Sequence, residues 1–481
     1  NFNWKWQDQL YDLQIKVDQK IFKFPNDPLA KEDVSKLSDA IQELTVNDLT
    51  KKKSLLEVDL IINLTEIDIC KHIVIPKLGI WSLAFGEHYN FNFRRGCFEH
   101  FLNNNPITKS YLIIQTADAP AGKIVYASTS TTHPTSLTRH QTPVAWKSIL
   151  FFERILRQLS INDETVFLGK LPNLKLPTST VRFSAFYTFS KLVRYALNGC
   201  TSKLHKFLFK EQWILLQKKA KDFSSDISTF RKIIPPKDRF WADPFLIQNE
   251  NRQYLFFEEL MYETDKGHLS VVEVNQEGTQ GEPIKILDKP YHLSYPFIFE
   301  YEDKYWMIPE SNESRNIQLY ECEAFPHQWK HHSNLMEGIK AVDATVFFHN
   351  KKWWLFVNMA EQHGACMDDE LFLFYADSPL TTDWTPHPLN PIISDVRLAR
   401  CAGHIFEKDG KLYRPSQDGS WRYGYALNLN EILILNENEY QEKRVENVKP
   451  STENGLTRIH TWNTSQELAV TDGVVYRFRF F

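Results

Sequence analysis

A unit of about fifty residues recurs through the second half of the chain, and this repeat constrains the fold more than any other feature. WADPFLIQNENRQYLFFEE (241–259), SYPFIFEYEDKYWMIPES (294–311), VDATVFFHNKKWWLFVNM (342–359) and CAGHIFEKDGKLYRPSQD (401–418) share one plan. Each opens on a short polar or small cluster, runs into an apolar strand, turns on charged residues and returns as an aromatic strand. A weaker fifth copy begins at GLTRIHTW (455–462). The equivalent openings are Asp243, Tyr295, Asp343, Ala402 and Thr457, spaced 52, 48, 59 and 55 residues apart. A β-hairpin unit repeated at this length is what a propeller blade looks like in sequence, and five copies predict an all-β five-bladed β-propeller. QWILLQKKA (212–220) precedes the first copy and is placed to supply the strand that closes the ring.

Composition agrees with a packed β-structure. Of 481 residues, 42% are hydrophobic and 24% charged, ordinary globular values that exclude disorder, collagen or coiled coil as whole-chain descriptions. The aromatic share is 14%, which suits ring-packed sheet faces and sugar-binding surfaces. A formal net charge of −4 argues against a basic nucleic-acid binder. The six cysteines form no CxxC pair and no dense disulfide frame, and no metal-ligand spacing is visible, so the thiols read as reduced in a cytoplasmic protein. No apolar run is long enough to span a bilayer, and NFNWKWQDQL has neither an apolar signal core nor an initiator Met, which leaves room for a missing segment before it.

The first half has a different texture. DLIINLTEI (59–67) and SYLIIQTA (110–117) read as buried strands, and TPVAWKSILFFERILRQLSI (142–161) as one helix capped by Thr142 with Pro143 in its first turn. The first fifty residues read as polar and helical, without a Gly-rich dinucleotide turn. The expected organisation is an α/β domain over 1–180, a connecting segment over 181–211 and the propeller over 212–481. Within the connector, KLVRYALNGCTSKLHKFLFK alternates basic and bulky apolar residues. Through Lys191, Arg194, Lys203, Lys206 and Lys210 it could lie on an anionic membrane surface, at the inner face of a membrane; the alternative is a packing helix with a solvated basic face.

Inner strands of a propeller line the central channel, so the openings of the repeats converge at one mouth. Asp243 and Asp343 share this register, and convergent carboxylates in an aromatic funnel suit sugar chemistry, one as base and the other as its partner. The alternative is that both cap strand starts.

DRFWADPF, VDATVFF and GHIFEKDGKLYRP resemble the five-bladed propellers of arabinanase-, levansucrase- and invertase-type enzymes. ADPFLI, HLSYPFIFEYEDKYWMIPES, DATVFF and GKLYRPSQDGSWRYGYAL resemble, more narrowly, the propeller domain of plant glucosamine inositolphosphorylceramide transferases and their bacterial relatives, over about 212–481. In the plant enzymes transferase activity is usually placed in a different, fused domain, so the resemblance implies a fold and a sugar or glycolipid context more firmly than a reaction. The glycosidases carry a glutamate acid at the fourth opening, where this chain reads Cys401-Ala402-Gly403-His404. Cleaving a glycoside without that acid forfeits a factor on the order of a hundred or more. A phosphate-activated donor needs cations instead, and Arg400, Arg414, Arg422, His404 and His460 are the expected cationic wall; ordinary surface arginines are the alternative. Glu258 and Glu310 are substitute carboxylates, and Tyr295 is placed with the substrate-binding residues.

DLIINLTE, LGIWSLAFGEHYNFNFRRG and TKSYLIIQTADAPAGKIVYAS are similar to the second half of folate-dependent formyltransferase domains, over about 55–160. The family's Asn-x-His is replaced around Trp81-Ser82 with His88 nearby, and Pro120 stands where its Asp is expected, with Asp118 two places off. This implies a degenerate, formyltransferase-like α/β module that is structural or acceptor-binding. The whole chain is thus expected to be a glycosyltransferase using a sugar nucleotide or other activated sugar, acting on a carbohydrate or glycolipid acceptor, with no cofactor assigned. A glycoside hydrolase, an inactive glycan-binding propeller and a folate-dependent sugar-nucleotide formylase using His88 are the alternatives.

Overall fold

Two-residue reversals set the architecture of the C-terminal half. Glu302–Asp303, Asn350–Lys351 and Asp409–Gly410 all take φ between 51° and 72°. Two successive left-handed residues match the twist of the antiparallel strands they join, so each forces a tight hairpin. The computed structural model describes residues 9, 11–16, 18, 58–65, 69–71, 73–161, 185–219, 223, 226–362, 364–451, 453–465 and 467–480. These fall into two units, 1–199 with 362–365 and 200–361 with 366–481.

The first unit carries a four-stranded sheet of β1 (Ile61–Asn63), β2 (Ile80–Phe85), β3 (Ile107–Gln115) and β4 (Lys123–Thr131) in that order. β1 pairs parallel with β2, and the others pair antiparallel. The strand expected over 59–67 is thus only three residues long. Helix α1 (Phe93–Asn103) starts where the Asn92 side chain accepts from Arg95 N and stops at Asn104, whose left-handed backbone ends it.

The single helix expected from Thr142 is instead two. In α2 (Leu137–Ser148) the cap is Ser136, whose side chain accepts from Arg139 N, and Pro143 lies inside the helix; α3 (Leu150–Ile161) follows after Ile149. Ser136 is itself held by Asp18, which also accepts from Thr138 N, and no local pattern announces that long-range anchor. Most of the first fifty residues, read above as helical, lie outside the described residues. Helix α4 (Ala185–Leu208) occupies the basic connector, and no helix among the described residues is long and apolar enough to cross a membrane.

The second unit is mostly β. It starts with β5 (Phe209–Lys219) and β6 (Arg231–Ile233). The first sheet holds β7 (Arg239–Asn249), β8 (Arg252–Met261), β9 (Lys266–Asn275) and β10 (Gly278–Leu287). The second holds β11 (Ser294–Tyr301), β12 (Lys304–Glu310), β13 (Asn316–Ala324) and β14 (Gln328–Glu337). The third holds β15 (Ala341–His349), β16 (Lys352–Met359), β17 (Leu371–Ala376) and β18 (Thr385–Pro386). The fourth holds β19 (Phe406–Lys408), β20 (Lys411–Asp418), β21 (Ala426–Leu435) and β22 (Tyr440–Val448). In the fifth, β23 (Trp462–Thr464) and β24 (Leu468–Phe478) meet β5 and β6, with Leu468 opposite Lys219 and Phe478 opposite Phe209. The segment read as a closing strand therefore does pair with the last strand of the chain.

Adjacent sheets share one apolar interior. Phe245, Phe297, Trp306, Trp354 and Phe356 belong to a single buried cluster spanning the first four sheets, and Ile214, Ala402, Leu427 and Trp462 to a second joining the fourth and fifth. Burial of this much ring surface is the main stabilising contribution. Hydrogen bonds join one sheet to the next: Trp462 N donates to Ala402 O at 2.7 Å, Cys401 N to Asn358 Oδ1 at 3.1 Å and Asp243 N to Asp472 Oδ2 at 3.0 Å.

Candidate active site

Pairing slips at the same place in the first three sheets, between Ala242 and Phe245, Ser294 and Phe297, and Val342 and Thr345. Asp243, Tyr295 and Asp343 occupy these slips with φ of 50°, 42° and 52°. A bulge re-aims a side chain and is common beside functional sites. The repeat's opening register is thus a left-handed bulge, which Asp tolerates and Tyr does not unless its surroundings hold it. In the fourth sheet Gly403 has φ of 134°, and a Cβ there would lie 2.0 Å from Trp462 O. In the fifth, the residues that reach this centre are His460 and Thr461. Thr457, the expected equivalent, lies short of it and hydrogen-bonds Val474.

Asp243 is 4% exposed. Its Oδ1 accepts from Thr461 Oγ1 at 2.7 Å and lies 3.4 Å from His460 Nε2, and its Oδ2 accepts from Tyr295 N at 3.2 Å. His460 Nδ1 lies 2.6 Å from Asp472 Oδ2. Burial depresses the His460 imidazole, but Asp472 and then Asp243 outweigh it and push it up to about 9. The ring also stacks on Trp213 with centroids 4.2 Å apart. Ligand atoms of Asp243, His460 and Asp472 fall within 4.8 Å of one another and are the group that could hold a metal ion among the described residues. The charged imidazole already bridges the two carboxylates, so a cation would have to displace its proton.

Asp343 meets a second cation. Arg400 Nε donates to its Oδ2 at 2.6 Å, and Gln417 Nε2 reaches the same oxygen at 3.3 Å. Arg400 also pairs with Asp368, lies 3.8 Å from Glu310 Oε2, and sits over the Tyr423 ring at 4.7 Å. Burial pushes the Asp343 carboxyl up and Arg400 pulls it back. The net direction is upward, with the Arg400 guanidinium at 2.6 Å offsetting part of the rise.

Glu310, at the end of β12, accepts from Ser294 Oγ at 3.0 Å. Burial, then the Asp343 charge, push its carboxyl up to about 8, with Arg400 offsetting only part. It is thus protonated near neutrality and within easy reach of ionisation, the condition for an acid–base group. Glu258 is also raised by burial, and its Oε1 lies 3.2 Å from His292 Nε2.

Three expected substrate contacts are placed otherwise. Arg414 is 1% exposed and gives its guanidinium to Glu442, with two bonds of 2.8 Å, and to the Leu398 carbonyl at 2.7 Å. It braces the fourth sheet from a buried position. His404 is wedged between strands, Nε2 on Ile298 O at 2.7 Å and Nδ1 on Asn463 Oδ1 at 2.9 Å. Tyr295 is fully buried, its hydroxyl joining Thr345 Oγ1 and Gly403 N, both at 2.9 Å, so it ties sheets together. Arg422 hydrogen-bonds Thr457 O and Tyr476, so the expected cationic wall reduces here to Arg400 and His460, each matched by carboxylates.

Sequence reasoning missed Asp472, Asp368 and Tyr423. Asp472 is fully buried in β24; a charged residue inside TDGVVY was the available signal.

Residues 231–471 match the family model described as glucosamine inositolphosphorylceramide transferase 1, N-terminal. The chain is 38% identical over 206 residues to glucosamine inositolphosphorylceramide transferase 1 of Oryza sativa subsp. japonica, covering 42% of this chain and 27% of the relative. It is 37% identical over 209 residues to the protein of that name from Arabidopsis thaliana, covering 43% and 27%. The chain thus matches about a quarter of the length of these relatives. Among solved structures, it is similar to a family 117 glycoside hydrolase of the marine bacterium Zobellia galactanivorans, at 13% identity and TM-score 0.35, covering 55% of this chain and 90% of that one. It is also similar to the catalytic domain of the GH62 alpha-L-arabinofuranosidase of Coprinopsis cinerea, at 10% identity and TM-score 0.39, covering 50% and 94%.

Proposed function

As the chain belongs to the glucosamine inositolphosphorylceramide transferase 1 N-terminal family, we propose that the mouth around Asp243, Glu310, Asp343 and Arg400 transfers a glycosyl group to a glycolipid or surface glycan. In this reading the five sheets are the five blades of one ring and its openings converge on that mouth. The observation that carries it is Glu310, a carboxyl held at about 8 beside an arginine and two further carboxylates.

The donor is a sugar nucleotide or another phosphate-activated sugar. The bond between the anomeric carbon and the phosphate oxygen breaks as the acceptor oxygen bonds to that carbon. Glu310 in its ionised form takes the acceptor proton, and the phosphate leaves with its electron pair as an anion. Arg400, oriented by Asp343 and Asp368, faces that charge, while Asp243 orients a sugar hydroxyl. Asp243 thereby passes from expected base to positioning residue, because its oxygens already serve Thr461, Tyr295 and His460.

One second reading rests on the same carboxyl. Protonated Glu310 could instead donate to the leaving oxygen of a glycoside while water attacks the anomeric carbon, which is hydrolysis. For the first unit we keep the structural or acceptor-binding role, since His88 is engaged with Glu99 at 3.4 Å and Asp118 with Lys123 at 3.1 Å.

The test is mass spectrometry of wild type and Glu310→Gln against sugar nucleotides with mixed glycolipid acceptors, and against aryl glycosides. Donor consumption that needs acceptor and Glu310 supports transfer. Aryl glycoside cleavage supports hydrolysis, and glycan binding without turnover on either panel overturns both.

A further inference from the structure

The end of α4 and the end of β24 form a surface that the proposed reaction does not use. Its centre is a cavity of about 390 Å³ lined by His205, Lys206, Arg422, Arg458 and Arg479. Glu211 is the sole acid in that lining, and it is already engaged by Arg458 and by the Tyr476 hydroxyl. Arg458 Nε is buried without a hydrogen-bond acceptor. Arg479 spends one N–H on Phe209 O at 3.3 Å, and Arg422 spends one on Thr457 O at 3.0 Å and one on the Tyr476 hydroxyl at 3.5 Å, which leaves donors on both. A guanidinium offers five donors, so two or three of them around one cavity make an anion site.

Large apolar side chains stand at the rim. Phe207 is 63% exposed, Leu204 59% and Phe480 56%, and the Phe207 and Phe480 rings lie 5.4 Å apart. Phe478 extends the cluster, 5.7 Å from Phe480 and 5.5 Å from Phe209. Exposed aromatics near the exposed Lys203 and Lys206 would be costly to leave in water. Rings that enter the acyl boundary beside cations that meet the headgroups are the composition of an interfacial anchor.

We propose that this surface docks the protein on an anionic bilayer, with the phosphate of one lipid headgroup seated among Arg422, Arg458 and Arg479 and Phe207 and Phe480 inserted beside it. Charge complementarity selects the occupant, since basic groups outnumber the single acid around the cavity. The inference stands on these residues and not on the chemistry at Glu310.

Flotation of the full chain with phosphatidylcholine vesicles, with and without phosphatidic acid, tests it. Binding is expected only with phosphatidic acid and is expected to weaken with salt. Arg422→Gln with Arg479→Gln should weaken it roughly thirtyfold, the equivalent of two cationic contacts at the surface. Phe207→Ser with Phe480→Ser, both exposed positions that should leave the fold intact by circular dichroism, should abolish flotation. Equal binding to neutral vesicles would overturn the proposal. So would binding unchanged by either pair of substitutions, tighter binding to RNA than to vesicles, or binding of inorganic phosphate alone.

Discussion

Arg400 Nε and Asp343 Oδ2 lie 2.6 Å apart, joining residues 57 apart in sequence. The aspartate is 2% exposed, so the pair holds its charges out of water. Removing one partner of a buried pair costs about 3–5 kcal/mol, because the other is left uncompensated. Asp343→Asn should therefore lower unfolding stability toward the lower end of that range, since Asp368 and Glu310 remain beside Arg400. Urea denaturation checks it, and a midpoint equal to wild type would refute the pairing.

Stability should fall as pH rises from about 4.5 to about 9. Glu310 stands at about 8 against a usual 4.5, and His460 at about 9 against 6.5. Both bind their proton more tightly folded than unfolded, so raising the pH favours unfolding. The His460 contribution is complete below 6.5 and lost by about 9; the cost of ionising Glu310 is absent below 4.5 and complete above about 8. His460→Gln and Glu310→Gln should each flatten part of that slope in melting temperature against pH.

The pH dependence of turnover separates the two readings of Glu310. As the base of transfer, it should give donor consumption that rises with an apparent pKa near 8; as the acid of hydrolysis, cleavage that falls through the same value. Glu310→Gln should cost roughly 10²–10⁴-fold in kcat and abolish that inflection. A profile unchanged by the substitution removes Glu310 from the chemistry.

Arg414→Met should destabilise without touching substrate affinity. The side chain is 1% exposed and bidentate on Glu442, so about 3–5 kcal/mol is at stake. KM for the donor should stay at its wild-type value while the urea midpoint drops. A raised KM with intact stability would restore the phosphate role expected from sequence.

Gly403→Ala should destabilise by about 3 kcal/mol or more, because it combines a φ of 134° with a Cβ 2.0 Å from Trp462 O. Thermal melting of the purified variant decides it.

The repeat was legible because hairpin turns and aromatic strands are local. Asp243, Asp343 and the charged reversals such as Glu302–Asp303 were all visible at fixed spacing. Partners were not visible, because they come from other sheets. Asp472 lies 229 residues from the backbone N–H it accepts at Asp243, and Glu442 28 residues from Arg414. An arginine looks the same in sequence whether it pairs with a carboxylate of another sheet, as Arg400 does with Asp343, or of its own sheet, as Arg414 does with Glu442. The capping of α2 failed for a like reason: Thr142-Pro143 is a sound local start, but Asp18 fixes an earlier one at Ser136.

The pairing of β5 with β24 also fixes an order of events. Phe209 meets Phe478 only after the 268 residues between them exist, and closing a loop of that length costs about 5 kcal/mol in entropy before any contact repays it. During synthesis the early strand must wait as an unpaired edge while four other sheets are made, and it is protected only when the last strand arrives. Strand β24 thus acts as a latch, and a ribosome that stalls before Leu468 leaves β5 with no neighbour on that side.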